Sequence, residues 1–376
     1  MPLIDVLRVN GVPYQSVSVY VQEDHGFRPV AGLQSTVAEL TANGRRVVVR
    51  PDRNIDYAAL IARPTVFIDT PGAVSEFAFD THDDETPERQ WVELSTDDCL
   101  AFVTKRVAAF LKEDVAYSKR RKIVVGVSGG GDSNALLYAL LRSGRVPRER
   151  IVPVMMLGIP DWDKGLERAR TVCESYGLSL RVVDAAQVDR LMGRDGSPDW
   201  TRDFERFYPD ADLELIGTLA IRLALSDVAR KERAQAIVTG LNQEDVLAEC
   251  LLLLMRGEDL LPFPERVADG VRIWYPLYLC PKKIVDGCFP RFSLENYGDR
   301  YPSRMYWRAV AYYMAQQLHA SLPGVENVFL EGFKSLAKRQ RREPVYDPRV
   351  GFSVMEKLSN EAVAQWRCFI NAGRRS

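Results

Sequence analysis

The sequence predicts an α/β protein built on a doubly wound parallel sheet, with a small β-rich domain before the sheet and a helical region after it. Three observations predict this organisation. Short strand-like bursts fill the start of the chain, continuous apolar runs alternate with helical stretches between Ser118 and Pro290, and the remainder is helical and aromatic. We therefore expect three domains, at 1–115, 116–290 and 291–376.

The first segment alternates short apolar bursts with Gly, Pro, Asp and Asn, which is typical of short strands joined by turns. Strands are predicted at 6–9, 16–21, 46–49, 65–69 and 90–94. Ser95 then supplies an N-cap, with Asp97 and Asp98 in the first helical turn, and apolar residues recur at helical spacing up to Lys112. This helix is expected to link the first domain to the second.

The middle segment opens with Ile123–Val127, a continuous apolar run of the kind found in strands buried on both faces. Similar runs lie at 151–157, 180–183, 236–239 and 272–275, and helical stretches lie at 134–142, 164–176, 213–233 and 244–255. Strands alternating with helices imply right-handed crossovers and a parallel sheet. In the last segment, helices are predicted at 303–318 and 353–372.

The composition excludes several classes of protein. The 376 residues are 46% hydrophobic and 27% charged, the proportions of an ordinary globular protein, and the net charge of −1 gives no overall attraction for nucleic acid or membrane. Six cysteines without a CxxC spacing indicate reduced thiols, and no apolar run is long enough to span a bilayer. We expect a cytoplasmic protein.

The most informative segment is the glycine turn, Ser128-Gly129-Gly130-Gly131-Asp132-Ser133, which lies between a predicted strand and a predicted helix. Glycines let the backbone approach a ligand there, and free N–H groups at the start of the helix favour an anion. Ser128 and Ser133 add hydroxyl donors. Asp132 would repel phosphate unless a divalent cation lay between them. The turn therefore predicts a site for phosphates that carry a metal ion.

This SGGxDS pattern resembles the PP-loop of the N-type ATP pyrophosphatases, nearest to the tRNA lysidine synthetases and tRNA 2-thiocytidine enzymes. Gly240–Asp245 is similar to the GHxxDD segment of that subgroup. The resemblance implies ATP and Mg²⁺ as cofactors, with the glycine turn on the phosphates and with Leu157 and Gly240 against the nucleoside. Asp132 and Asp245 would lie beside the metal, although Asp245 can equally serve as an acid at a helix N-terminus.

Three basic residues complete the predicted catalytic set with Asp132. Arg222 presents a planar fork of donors that suits phosphate, and Lys282 or Lys283 could neutralise departing pyrophosphate near the end of a strand. An exposed helix arginine and ordinary surface lysines are the alternatives. The middle segment contains no histidine, so its chemistry must depend on acids, lysines and arginines.

The sequence departs from the 2-thiocytidine enzymes at the positions that carry sulfur chemistry. Gly217 and Ala220 occupy the places of the CxxC cysteines, and Pro2 stands where a fused glutamine amidotransferase has cysteine. We therefore expect an ATP-dependent ligase that adenylates a carbonyl or carboxylate oxygen and lets a nitrogen nucleophile displace AMP. One alternative is sulfur insertion from an external carrier, with Cys280 or Cys288 as the more exposed relay thiols. The other is a non-catalytic sensor of adenine nucleotides.

The acceptor is the least determined part of this prediction. Arg291, Arg300 and Arg304 follow the fifth strand and could bind its anionic groups, and a small molecule is favoured over tRNA. The basic runs 118–122 and 338–342 favour tRNA, with four aromatic residues available for stacking: Tyr306, Trp307, Tyr312 and Tyr313. A partner protein that supplies the nucleophile, and a homodimer, are further expectations.

Overall fold

The structure is a computed structural model that describes residues 1–10, 12, 17–52, 65–80, 89–299 and 305–372. Its N-terminal part contains two three-stranded sheets, with strand orders β2-β1-β3 and β4-β6-β5. These strands are β1 (Val17–Glu23), β2 (Gly26–Pro29), β3 (Val47–Pro51), β4 (Thr65–Ile68), β5 (Ser75–Asp80) and β6 (Arg89–Leu94). The β-rich character predicted for this segment is confirmed.

One predicted strand is wrong, because residues 6–9 belong to the helix Leu3–Val9. Leu3 and Leu7 lie one helical turn apart and are both buried, in a small apolar cluster with Val19, Val21 and Leu40. A helix presents both leucines to that cluster, whereas a strand would not place residues four apart at this short spacing. The spacing of the two leucines was the signal that the strand interpretation overlooked.

The central sheet has six strands in the order β11-β12-β10-β7-β8-β9. Five strands are parallel, and β11 pairs antiparallel with β12 at one edge. The strands are β7 (Ile123–Gly126), β8 (Ile151–Met156), β9 (Arg181–Val183), β10 (Ala236–Val238), β11 (Glu265–Ala268) and β12 (Val271–Trp274). The doubly wound fold is therefore confirmed, and β11 is an addition that the sequence did not predict.

Helices connect and cover these strands. Their bounds are Val37–Leu40, Thr96–Glu113, Gly131–Arg142, Pro160–Asp163, Leu166–Ser175, Ala185–Leu191, Trp200–Phe207, Leu213–Lys231 and Gln243–Met255. Ser95 and Asp98 form a reciprocal capping box at the start of Thr96–Glu113, as their residue types predict. One continuous core extends from Phe77 through the central sheet to Phe369. The three-domain division stays a prediction.

After β12 the chain is mainly helical. The helices are Lys282–Cys288, Pro290–Asp299, Tyr306–Ser321, Val325–Gln340 and Asn360–Ala372, and a hairpin joins β13 (Val345–Asp347) to β14 (Phe352–Val354). The helix Val325–Gln340 and the hairpin were not predicted, and the last helix begins seven residues later than expected. Among the helices of the described ranges, none is long and apolar enough to cross a membrane.

Candidate active site

The glycine turn lies at the carboxyl end of β7, directly before the helix Gly131–Arg142. Gly129 has a φ of +77°, and a Cβ there would overlap the backbone of Gly165, so this position requires glycine. The Ser133 hydroxyl donates to the carbonyl of Gly130 at 3.1 Å and accepts from the Ser128 N–H at 3.2 Å. The turn is thus held by its own second serine, and the predicted strand–turn–helix unit is present.

A helix from beyond the sheet covers this turn. We call Pro290–Asp299 the cover helix: a Cβ on Gly130 would lie 2.8 Å from Asn296 Cγ, and a Cβ on Gly131 would overlap the Ser293 hydroxyl. The Ser293 oxygen is buried and has no hydrogen-bond partner. Gly130 and Gly131 therefore leave space that Asn296 and Ser293 of the cover helix occupy. A phosphate bound against these glycines would have to occupy the same space.

Arg168 fixes the cover helix to the turn. Its Nε donates to the Gly129 carbonyl at 3.2 Å, and its guanidinium forms a 2.6 Å ion pair with Asp299. Lys164 lies alongside, 2.9 Å from Asp161, and donates to the Asp299 carbonyl. Asp299, the last residue of the cover helix, thus receives two contacts, the Arg168 ion pair on its carboxylate and the Lys164 hydrogen bond on its carbonyl.

Asp132, Lys282 and Asp286 form a charged cluster beside the turn. Lys282 Nζ lies 2.6 Å from Asp132 Oδ1 and 2.9 Å from Asp286 Oδ1. Burial alone would lower the pKa of Lys282, but the two carboxylates outweigh it and raise that pKa. Gly240 packs against Asp132, since a Cβ on Gly240 would be 3.4 Å from the Asp132 carbonyl carbon. The structure therefore brings together three of the predicted site residues, Asp132, Gly240 and Lys282.

Asp245 lies in the first turn of Gln243–Met255, close enough to Asp132 for their charges to interact. Its Oδ2 accepts from the Asn242 N–H at 2.9 Å, which makes it part of a capping box, and its Oδ1 accepts from the Tyr312 hydroxyl at 2.6 Å. Burial raises the pKa of Asp245, Asp132 adds to this, and the Tyr312 hydrogen bond opposes it. Asp245 is thus both a helix-capping acid and a member of the cluster.

Glu244 is a functional candidate that the sequence did not single out. Its Oε2 accepts from the backbone N–H of Lys282 at 2.8 Å. Burial raises the pKa of Glu244 to about 7, although that hydrogen bond and nearby His319 lower it. A carboxyl group that titrates near neutrality beside a nucleotide-type turn is a candidate acid or base. Its position beside Asp245 was visible in the sequence, but its burial was not.

The donor set fits a magnesium ion shared with phosphates. Mg²⁺ typically takes one or two carboxylates and completes its shell with water and phosphate oxygens. Asp132 is about one-third exposed and already attracts the Lys282 ammonium, so this position favours a cation. Across the described ranges, no three His, Cys, Asp or Glu side chains converge as a metal site. Asp132 and Asp245 would therefore hold the ion only together with the ligand's own oxygens.

Two predicted catalytic residues lie elsewhere. Lys283 Nζ faces Glu76 of β5 at 3.7 Å, because neighbouring helix residues point in different directions. Arg222 forms a 3.0 Å ion pair with Asp269 and donates to the carbonyl of Ser353 at 2.6 Å. Both basic groups are thus engaged with flanking segments, and the structure gives neither of them a contact with the glycine turn.

The remaining predicted site residues have separate outcomes. Leu157 follows β8, and its N–H donates to the Val183 carbonyl at 2.9 Å, so it continues the sheet at the carboxyl edge. Arg291 is exposed and pairs with Glu295 of its own helix at 2.7 Å. Arg300 and Arg304 lie outside the described residues. Their roles toward a nucleoside or an acceptor stay predictions.

The surroundings of Tyr312, Cys280 and Cys288 differ from those that the sequence suggested. Tyr312 was available for stacking only under the tRNA alternative; in the structure its hydroxyl donates to Asp245, and Arg308 lies over its ring at 5.6 Å. Cys280 and Cys288 were expected to be exposed, but both are fully buried. Burial raises the pKa of Cys280 to about 12 and also raises that of Cys288. The reason is that β12 leads directly into core-packed segments, so residues following this strand are not on the surface.

The parallel sheet with the glycine turn at its carboxyl edge gives this chain the fold class of the PP-loop ATPases. Residues 103–205 match the family described as NAD synthase. A relative, the NH(3)-dependent NAD(+) synthetase of Methanocaldococcus jannaschii, is 24% identical over 104 residues. That alignment spans 28% of this chain and 39% of the relative.

The fold is similar to that of one solved structure with a TM-score above 0.5. The U34-tRNA thiolase NcsA of Methanococcus maripaludis, solved with its [4Fe-4S] cluster, has a TM-score of 0.51 and 18% identity, over 65% of this chain and 82% of that one. The NH3-dependent NAD synthetase of Campylobacter jejuni has a TM-score of 0.38 and 15% identity, over 65% and 97% of the two chains. The narrower resemblance to lysidine synthetases and 2-thiocytidine enzymes stays a prediction.

Proposed function

We propose that the protein is an AMP-forming ATP ligase that activates a carbonyl or carboxylate oxygen and transfers the activated group to nitrogen. One observation carries this proposal: Asp132, on the glycine turn at the carboxyl edge, pairs with Lys282 at 2.6 Å beside the second acid Asp245. A turn that binds only phosphate needs neither acid. A polyphosphate with a bound metal ion needs carboxylate oxygens for the metal and a lysine ammonium for the departing pyrophosphate. The match to the NAD synthase family supports the same chemistry.

The proposed reaction has two steps. The acceptor oxygen attacks the α-phosphorus of ATP, and the bond to the departing pyrophosphate breaks. The nitrogen nucleophile then attacks the activated carbon, and AMP leaves with the acceptor oxygen. Bound Mg²⁺ would supply positive charge to the phosphates, with Asp132 and Asp245 as its protein ligands. Lys282, released from Asp132, would place its ammonium on the developing charge of pyrophosphate.

Nitrogen is favoured over sulfur as the nucleophile. Gly217 packs so closely that a Cβ there would lie 2.5 Å from both Ile159 and Trp162, so a cysteine does not fit this position without repacking. The thiols of Cys280 and Cys288 are buried and carry raised pKa values, which opposes formation of the reactive thiolate. The M. jannaschii relative is named as NH(3)-dependent, which supports ammonia as the nucleophile here.

The acceptor is proposed to be a small molecule, and the compartment the cytoplasm. All six cysteines are free, which suits a reducing environment.

The test is an assay of the full chain with α-labelled ATP, magnesium, a low-molecular-weight cell extract as the source of acceptor, and either ammonium or sulfide. We expect labelled AMP and an equal amount of pyrophosphate, with ammonium-dependent product. Release of ADP and phosphate would overturn the proposal. ATP binding without any AMP would indicate the nucleotide sensor, and AMP formation that requires sulfide would indicate the sulfurtransferase.

A further inference from the structure

The register of the central sheet brings three basic segments to one edge. Ala236 of β10 pairs with Ile123 of β7, and Ile123 pairs with Ile151 of β8. Because all three strands are parallel and begin at these residues, the residues just before them lie side by side at the amino edge of the sheet, about 4.8 Å apart per strand. We call residues 118–122, 142–150 and 230–235 the basic edge.

The basic edge concentrates positive charge in a chain whose net charge is −1. Its three segments contain eleven Lys or Arg residues and two acidic residues, Glu149 and Glu232. Glu232 is shared by Lys122 at 2.6 Å and by Arg181 of β9 at 3.0 Å, and Lys231 pairs at 2.7 Å with Asp227, which lies outside the three segments. The sequence spreads these residues over more than a hundred positions, and only the sheet gathers them.

Further contacts join the segments of this edge without adding acidic partners. The Arg121 guanidinium donates to the backbone carbonyls of Arg233 and Ala234, and the Ser118 N–H donates to the side-chain carbonyl of Gln235 at 2.9 Å. These bonds join the first and third segments. Carbonyl oxygens accept the N–H groups but leave the charge of the arginine unpaired.

Several side chains of the basic edge have no acidic partner. Within the described ranges, no ion pair involves Lys119, Arg120, Arg145 or Arg148. Lys119, Arg120 and Arg148 are exposed. Like charges at this density repel one another, so the arrangement costs stability unless an anionic partner neutralises it.

We infer that the basic edge binds the phosphate backbone of a nucleic acid. Eight of its eleven basic residues are arginines, whose planar donor fork matches phosphate oxygens. The large apolar side chains that are exposed elsewhere on the chain are absent from these three segments. A membrane surface would need apolar side chains to insert, and a protein interface would need an apolar centre. A phosphate backbone needs neither.

This surface is separate from the proposed reaction and does not rest on it. The glycine turn lies at the opposite ends of the same strands, and a strand of four to six residues spans roughly 13–20 Å. Binding at the basic edge therefore requires no contact with Asp132 or Lys282. A nucleic acid held there is expected to be recognised through its charge, without base readout.

The test is binding of a labelled single-stranded RNA of mixed sequence to the wild-type chain and to Lys119→Glu/Arg120→Glu. The matched control is Arg256→Glu/Lys357→Glu, which makes the same charge change at two exposed positions outside the basic edge. We expect the test variant to lose at least about tenfold in affinity and to reduce the slope of log affinity against log salt by about 1.4. The control should stay within about twofold of wild type, with melting temperatures unchanged.

Several outcomes would overturn the inference. These are absence of salt-dependent RNA binding by the wild type, equal losses in both double variants, or stronger binding to phosphatidylserine vesicles or polyglutamate than to RNA. If the test variant does not fold, acylation of lysines in the wild type replaces it. Bound RNA should then protect Lys119 and Lys122 but not Lys357, and protection of Lys357 alone would contradict the assignment.

Discussion

The two edges of the central sheet use charge in opposite ways. At the carboxyl edge, Asp132 is paired with Lys282, Asp245 is hydrogen-bonded to Tyr312, and Glu244 accepts a backbone N–H. At the amino edge, the charges are exposed, nearly all positive and largely unpaired. One fold therefore carries a compensated, partly buried cluster and an uncompensated surface on the same strands.

This difference shows where in the molecule burial and neighbouring charges change the pKa values of ionisable groups. Burial raises the pKa values of Glu244 and Asp245, and a nearby charge acts strongly because little water screens it. Exposed arginines and lysines at the amino edge are screened by solvent and salt, so they provide attraction over a distance but no chemistry. The carboxyl edge is thus suited to bond-making and the amino edge to docking.

The sharpest test of this comparison is Asp132→Asn, which keeps the size of the side chain and removes its charge. We expect ATP cleavage to AMP to fall by about a hundredfold or more, because the metal and the phosphates lose an anchoring carboxylate. The melting temperature should change little, since a partly exposed ion pair contributes at most about 1 kcal/mol. Steady-state kinetics with labelled ATP and thermal unfolding measure both effects.

Asp286→Asn is the matched control. Asp286 also pairs with Lys282, at 2.9 Å, but lies on the helix Lys282–Cys288 and not on the glycine turn. The Asp286→Asn variant should keep most of its ATP cleavage activity, and so should Arg120→Gln at the amino edge. Similar losses in Asp132→Asn and Asp286→Asn would mean that neutralising Lys282, and not binding metal, is the task of Asp132.

The glycine turn and the sheet were predictable because local chemistry determines them. Gly129 requires a left-handed backbone, Ser133 bonds within the turn, and β7 is a continuous apolar run. The cover helix and Tyr312 were not predictable, because their positions depend on how segments distant in sequence pack together. Cys280 and Cys288 were misjudged for the same reason: polar neighbours in the sequence concealed a buried position.

The second prediction concerns Tyr312 as a positioning residue for Asp245. Tyr312→Phe removes the 2.6 Å hydrogen bond to Asp245 Oδ1 and should raise the pKa of that carboxyl further, since the bond opposes the effect of burial. We expect activity to fall by about tenfold and the magnesium requirement to rise, because a loosely held acid binds metal less well. Magnesium titrations of the ATP cleavage rate measure this shift.

Tyr313→Phe is the control for that experiment, because Tyr313 is the next residue on the same helix and is 62% exposed. It should match wild type in rate and in magnesium requirement. A lower rate in Tyr312→Phe at every magnesium concentration, with an unchanged requirement, would assign Tyr312 to packing alone.

The third prediction uses pH to separate the two edges. The pKa of Glu244 is about 7 in the folded chain against an ordinary value of 4.5, so the folded state binds the proton more tightly. Its contribution to the free energy of unfolding is therefore present at low pH and is lost as pH rises from 4.5 to about 7. Glu244→Gln keeps an acceptor for Lys282 and should be more stable than wild type by about 2 kcal/mol at pH 8, with the gap closing near pH 5.

Urea denaturation of both proteins between pH 5 and pH 8 measures that gap. The comparison at the amino edge is Arg120→Gln, which should show a constant difference from wild type over the same range, because arginine does not titrate there. If the free energies of unfolding of Glu244→Gln and wild type differed by a constant amount from pH 5 to pH 8, Glu244 would already be ionised at pH 5 in the folded chain.

The smallest expected effect is that of replacing both cysteines behind the carboxyl edge. Cys280 and Cys288 are fully buried, so alanine is the suitable replacement, because a serine hydroxyl would lack a solvent or protein partner. Stability should fall by about 1–3 kcal/mol from the lost packing. At a temperature where the Cys280→Ala/Cys288→Ala chain is folded, ammonium-dependent product formation should stay within twofold of wild type, since neither thiol takes part. Preserved adenylation with loss of product would instead make these thiols a sulfur relay, and the carboxyl edge would then owe its second step to sulfur and not to nitrogen.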